Sequence, residues 1–280
     1  MKVIPFKNFF RYGVFACSVV SLTLTVLTGF AQAADLPAAE PAPPPAAVEV
    51  DTGWTFTFAP YLWASGISGN VATLPPAPPA SVDENFIDIL KDLKFAGMVF
   101  GAARKGRFGV SGDLQYYDIR PSADTAGVFF SSAELISKTF IFSALGDYVL
   151  YEKGNNILFL SAGARLWAVD TELKLSAGPP PLGLTARTVS YSETWADPLI
   201  GLRGTADLSG RFFVTGWGYI GGFGAGSDIM ADVMGSAGYR FTDDISGTLG
   251  YRWQKVDYEN NGFIFDVEWQ GPIAGLVFRF

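Results

Sequence analysis

The chain closes on GPIAGLVFRF, residues 271–280, and this stretch decides the fold. Ala274, Leu276, Phe278 and Phe280 fall on alternate positions, with Arg279 the one charge among them. Side chains alternate faces along a strand, so these four residues line one face as an apolar stripe. A soluble sheet would turn that stripe to a core, a membrane sheet to lipid. The rest of the chain has to choose between the two.

The first 33 residues have the layout of a secretory signal peptide. Lys2, Lys7 and Arg11 precede an apolar run from Val14 to Leu27, and Ala31-Gln32-Ala33 supplies a small-residue cleavage site. A retained anchor is the weaker alternative, because the Ser/Thr-rich run is only marginally long enough to span a bilayer. Cys17, the single cysteine, sits inside this leader. The mature chain, expected from Ala34, then has neither a disulfide framework nor thiolate chemistry. The sequence also contains no histidine. Export would remove three of the 20 Lys and Arg residues and none of the 27 acids. Nucleic acid needs a basic footprint and is excluded as a partner.

Residues 34–52 begin ADLPAAEPAPPP, an Ala/Pro-rich stretch without apolar periodicity that is expected to be an extended periplasmic linker. Residues 53–280 are expected to form one all-β domain, an antiparallel transmembrane β-barrel of about ten strands. The strands are read at 54–65, 94–105, 107–119, 134–151, 156–170, 188–206, 211–222, 228–241, 245–259 and 263–280. Short turns at Lys105-Gly106, Glu152 to Asn155, Asp207 to Gly210 and Thr242 to Asp244 alternate with long connections at 66–93, 120–133 and 171–187. Short periplasmic turns with longer outer loops belong to outer-membrane barrels, and an even strand count puts both termini in the periplasm.

Parity then assigns faces. Phe108, Val110, Leu114 and Tyr116 oppose Ser111, Asp113 and Gln115; Leu158, Leu160, Ala162, Ala164 and Leu166 oppose Ser161, Gly163, Arg165 and Trp167. Ile229, Ala231, Val233, Ala237 and Tyr239 oppose Asp228, Asp232, Ser236 and Arg240. A soluble sandwich shares this alternation, and two features favour lipid. The polar face is poor in Lys and rich in Gly, Ser and isolated Asp or Arg, which suits a crowded interior. Trp54, Tyr251, Trp253, Trp269 and Phe278 fall near strand ends, where interfacial girdles belong. In the last strand Phe265, Val267 and Trp269 are odd while the terminal stripe is even, which predicts a bulge at Gly271-Pro272. Strand 245–259 shifts similarly between Trp253 and Val256, and strand 211–222 has no clear orientation.

The segments APYLW (59–63), DPLIGLRG (197–204), GGFGAGSD (221–228), GYR (250–252) and the terminal GP..GL.FRF together resemble a family of largely uncharacterised outer-membrane β-barrel proteins of Gram-negative bacteria. The resemblance covers 53–280 and implies a small porin-like barrel. It further implies that Leu276, Phe278 and Phe280 form the signal read by the outer-membrane assembly machinery. Two departures stand out: Ala102 replaces an acidic residue, and Trp217 and Tyr219 replace a charged pair. Any lumen network carried over from relatives is therefore incomplete.

Eight charges are expected to line the lumen: Asp113, Asp147, Arg165, Asp197, Arg203, Asp232, Arg240 and Arg252. A charge withdrawn from bulk water needs a partner, so an interior network of Arg–carboxylate pairs is expected, filling the barrel or setting its selectivity. Asp197 and Arg203 share a face but stand too far apart along one strand to pair. GGFGAGSD lacks the Lys-Ser/Thr ending of a phosphate loop and reads as a tight glycine hairpin at the outer rim. SVDENFIDILKDL, 81–93, reads as a helix with a Ser81/Glu84 capping box and an apolar stripe of Phe86, Ile89, Leu90 and Leu93.

Catalysis is disfavoured. Without histidine, a Ser-His-acid triad and imidazole metal ligation are impossible. No catalytic residue, metal or cofactor is expected. Two functions remain: a narrow porin-like channel or structural membrane protein, and a cell-surface interaction protein acting through its loops. The partners expected are outer-membrane lipid and lipopolysaccharide, the assembly machinery and, for a channel, a small solute or ion.

Overall fold

The computed structural model describes residues 53–76, 78–124, 129–179 and 183–280; the expected signal peptide and the 34–52 linker lie outside the described residues. The elements are β1 Trp54–Trp63, β2 Gly66–Ala72, β3 Ala80–Glu84, α1 Phe86–Asp92, β4 Leu93–Lys105, β5 Phe108–Ile119 and β6 Ser122–Asp124. They continue as β7 Phe130–Lys153, β8 Asn156–Ala177, β9 Arg187–Ser209, β10 Phe212–Gly222, β11 Ile229–Arg240, β12 Ile245–Asn260 and β13 Phe263–Arg279. The ladder runs β1-β4-β5-β7-β8-β9-β10-β11-β12-β13 and returns to β1, closing an antiparallel ten-strand barrel. At the seam Phe56 and Phe280 exchange backbone hydrogen bonds of 3.0 Å in both directions. Closure leaves no unpaired edge in this band, the condition a sheet must meet in hydrocarbon. Both ends of the barrel chain lie at the rim that carries the short turns.

The expected bulge is absent. β13 keeps one unbroken register with β12, through Trp253↔Gln270, Arg252↔Gly271 and Tyr251↔Pro272. Its other neighbour agrees, with Trp63↔Ile273 in β1 and Gly66↔Gln270 in β2. Odd residues of β13 face inward along its whole length. What changes is the surroundings: Ala274, Leu276 and Phe278 face outward in one half, while Asp266, Glu268 and Gln270 face outward in the other. The apolar residues of that second half, Phe263, Phe265, Val267 and Trp269, are buried inside. β12 repeats the pattern without a shift, directing Ile245, Leu249, Tyr251 and Trp253 outward, then Lys255, Asp257 and Glu259. In β8, Leu158 to Ala168 give way outside to Asp170, Glu172 and Lys174.

The outer surface is thus an apolar belt below a polar sleeve. Ile245 to Trp253 match the roughly 9–11 residues a transmembrane strand needs. Ring contacts between Trp54 and Phe56, Phe108 and Tyr148, and Phe212 and Tyr239 mark the lower margin. Tyr251 and Trp253 mark the upper one. Trp269, expected in a girdle, is instead buried in the lumen. The parity of β10 is now settled: Phe213, Thr215, Trp217 and Tyr219 point inward, and Phe212, Val214 and Ile220 outward.

Above the belt, the segments expected as long loops add strand to the wall among the described residues. β2 and β3 form a hairpin on β13, and β8 and β9 extend their pairing to Leu175↔Arg187. The 81–93 helix is shorter than expected because residues 80–84 pair with β2, as in Asn70↔Ser81. Ladder hydrogen bonds displace the capping box, and Asn85 caps the helix, its Oδ1 accepting from the amides of Ile87 at 2.9 Å and Asp88 at 3.1 Å. Of the expected stripe, Phe86, Ile89 and Leu93 are half-buried, whereas Leu90 is exposed.

Candidate functional site

Alternation along ten strands delivers one inward side chain every second residue, and the lumen fills in three layers. The central layer is built on Arg252 of β12. Its Nε and Nη2 donate to the Asp232 carboxylate at 3.0 and 2.6 Å, and Nη2 also donates to Asp113 at 2.9 Å. Nη1 donates to the Tyr61 hydroxyl oxygen at 2.8 Å, while Tyr61 donates to Asp113 at 2.6 Å. Arg165 of β8 reaches across to Asp232 at 2.6 Å and to the Ser143 hydroxyl at 2.8 Å. Trp217 donates to the same Asp232 at 3.0 Å, and Gln115 to Asp113 at 2.9 Å.

Two guanidinium groups therefore oppose two carboxylates, a balanced layer as burial requires. Arg165, Asp232, Arg252, Gln115 and Gln254 are each at most 1% exposed, so this layer spans the lumen as packed side chains. Trp63 and Trp217 lie 5.0 and 5.1 Å from the Arg252 guanidinium and hold its plane.

The other expected charges divide. Arg203 of β9 donates to Asp147 of β7 at 2.8 Å, below the central layer and past the intervening β8. Ser161 donates to the same Asp147 at 2.5 Å. Arg240 sits at the lower rim and pairs with Asp207, a residue the sequence places in a turn. Asp197 corrects the expectation of Arg–carboxylate pairing. It accepts from Trp167 Nε1 at 2.8 Å and from the Ser227 amide and hydroxyl at 2.6 and 2.8 Å.

Ser227 belongs to GGFGAGSD, which is the expected hairpin but dips into the barrel instead of lying at its outermost rim. Gly222 and Gly224 adopt positive φ of 86° and 72°, which lets the chain turn there. Because β10 and β11 end early, the wall above this hairpin is notched between β9 and β12. Side chains bridge the notch. Trp195 and Tyr258 stack at 4.0 Å with their planes 5° apart, and Trp195 donates to Ser227 Oγ at 2.9 Å. Glu193 accepts from Tyr258 at 2.8 Å, Asn260 at 2.9 Å and Tyr191 at 3.0 Å. Burial alone would raise the Glu193 carboxyl, but hydrogen bonds from Asn260, Tyr258 and Tyr191 outweigh it and hold the group below its usual range. Trp167 stacks on Trp195 at 5.7 Å and on Trp269 at 6.1 Å, which completes an aromatic layer inside the sleeve.

The third layer is open. Toward the rim with the short turns, a cavity of about 250 Å³ is walled by aromatic side chains, threonines, Arg104, Arg203 and Arg279. Sequence reasoning missed Tyr61, Trp217 and Gln254 as parts of the site. They are neutral, and a search for charges passes over them; parity leaves the strand of Trp217 without orientation and reads as a shift at Gln254. Among the described residues no group of three or more His, Cys, Asp or Glu is arranged to hold a metal ion.

No protein-family model and no curated protein sequence matches the chain. Among solved structures it is similar to the outer membrane protease OmpT from Escherichia coli, with 13% identity, 84% of this chain and 99% of that chain covered, and a TM-score of 0.49. It is also similar to the translocator domain of the autotransporter NalP from Neisseria meningitidis, at 12% identity over 82% and 89% of the two chains with a TM-score of 0.47. A third is Ail, the attachment invasion locus protein of Yersinia pestis, at 13% identity over 81% and 99% with a TM-score of 0.31. Closed ladder, apolar belt and paired aromatic margins make this chain a β-barrel of the bacterial outer-membrane type.

Proposed function

We propose that the protein is an integral outer-membrane barrel that is closed at rest and acts as a structural membrane protein. The observation that carries this reading is the central layer: Arg165, Asp232 and Arg252 cross the lumen with at most 1% exposure. The narrow-channel form of the function would require that layer to open. In our reading the rim with the short turns faces the periplasm, and the polar sleeve stands outside among lipopolysaccharide headgroups. Leu276, Phe278 and Phe280 all face outward beside the seam, where the assembly machinery would meet them, and Phe280 is 74% exposed. Membership of the family that APYLW and GP..GL.FRF resemble is part of the same proposal. So is the absence of catalysis, supported by a sequence without histidine.

Planar-bilayer recording of the refolded barrel tests the proposal. The wild type is expected to be silent, and Arg165→Ala to admit brief openings because it removes one strut of the seal. Steady wild-type conductance would refute the closed reading.

A further inference from the structure

The cavity below the central layer has an opening at the short-turn rim, a ceiling of packed charges, and a lining matched to one kind of guest. Its walls include Phe100, Phe159, Phe213 and Trp217, with hydroxyls from Thr205 and Thr215. It carries three arginines, Arg104, Arg203 and Arg279, against two acids, Asp147 and Glu152. Arg104 is spoken for by Glu152 at 2.9 Å and Arg203 by Asp147 at 2.8 Å. Arg279 has no ion pair among the described residues, since Asp207 beside it is held by Arg240.

Deeper in, the guanidinium of Arg203 lies 4.2 Å from the centre of the Phe159 ring and 5.4 Å from that of Phe100. Its Nε–H is buried and has no partner, a donor left without an acceptor. A buried unsatisfied donor is costly, and an oxygen of a bound guest would remove that cost.

We propose that this vestibule binds a small monoanion with an aromatic body, its ring against the stacked pair of Phe100 and Trp217. The charge would be received at Arg279. Apolar walls with a few converging polar groups are what small-molecule sites present. Size agrees, because a cavity of about 150 Å³ holds a benzene ring. The inference rests on the closed-lumen reading, since only a ceiling makes a pocket of a passage.

The test is isothermal titration calorimetry of the refolded full-length barrel in detergent with phenylacetate, against neutral phenylacetamide and cationic phenethylamine. Phenylacetate is expected to bind at least tenfold more tightly than either control. Arg279→Gln should weaken phenylacetate by about tenfold and leave phenylacetamide unchanged. Ala102→Phe, which puts a ring into the vestibule from β4, should abolish binding; if it fails to refold, Arg279→Gln decides alone. No heat with the wild type, equal affinity for acid and amide, or phenylacetate binding unchanged by Arg279→Gln would overturn the proposal. Because the readout is binding and not current, a conducting barrel that binds phenylacetate as expected refutes only the closed reading. A silent one that binds nothing refutes only this inference.

Discussion

Replacing Arg252 with Met removes the head of the central layer and keeps most of its stem. The guanidinium makes hydrogen bonds of 3.0 and 2.6 Å to Asp232, 2.9 Å to Asp113 and 2.8 Å to Tyr61, all out of contact with water. After the change Asp232 keeps Arg165 and Trp217, but Asp113 keeps only Tyr61 and Gln115, and the layer carries an uncompensated negative charge. Breaking a buried pair by deleting one partner costs about 3–5 kcal/mol. Methionine fills the same space between Trp63 and Trp217, so little of that cost is cavity. Adding Asp113→Asn restores neutrality, with Asp232 and Arg165 still paired, and should recover about 2 kcal/mol of the loss. Urea unfolding in lipid vesicles, followed by tryptophan fluorescence, measures both values. A single variant that loses under about 1 kcal/mol, or a double variant no more stable than the single, would mean that the layer is wet and the charges are not held as an ensemble.

Two further outcomes follow from the belt and the notch. Leu249→Arg, at a position 67% exposed on the outer face of the belt, should cost about 2–4 kcal/mol in vesicles, whereas Asp257→Arg in the sleeve should change stability by less than about 0.5 kcal/mol; equal effects in the same urea assay would misplace the lipid boundary. Glu193→Gln should weaken the near-ultraviolet circular dichroism of the Trp195–Tyr258 stack at neutral pH. The Glu193 carboxyl is held below its usual value, so its contribution is complete above about pH 4.3 and fades as pH falls through the lower folded value. Wild type and variant spectra should converge there, and a difference that persists in acid would assign the stack to packing alone.

How far the sequence reaches is clearest in its last strand. Alternation, turn residues and a terminal Phe were enough to place ten strands, their short-turn rim and the inward face of most of them, because parity is local and every strand repeats it. The lumen charges were legible for the same reason, since an Arg or Asp on a small-residue face has nowhere else to point. Partner choice was not legible. Arg252 and Asp113 are brought together by closure of the barrel, a relation no spacing along the chain contains.

The imagined bulge at Gly271-Pro272 shows the other limit. Hydrophobic pattern records which face is dry, and a strand that leaves lipid for water exchanges its dry face from outside to inside with no break in register. Composition and periodicity determined that this chain is a sheet with one greasy face per residue pair. Only the closed tertiary structure decided where along each strand that face turns inward, because that depends on what lies beside the strand and not on the strand itself.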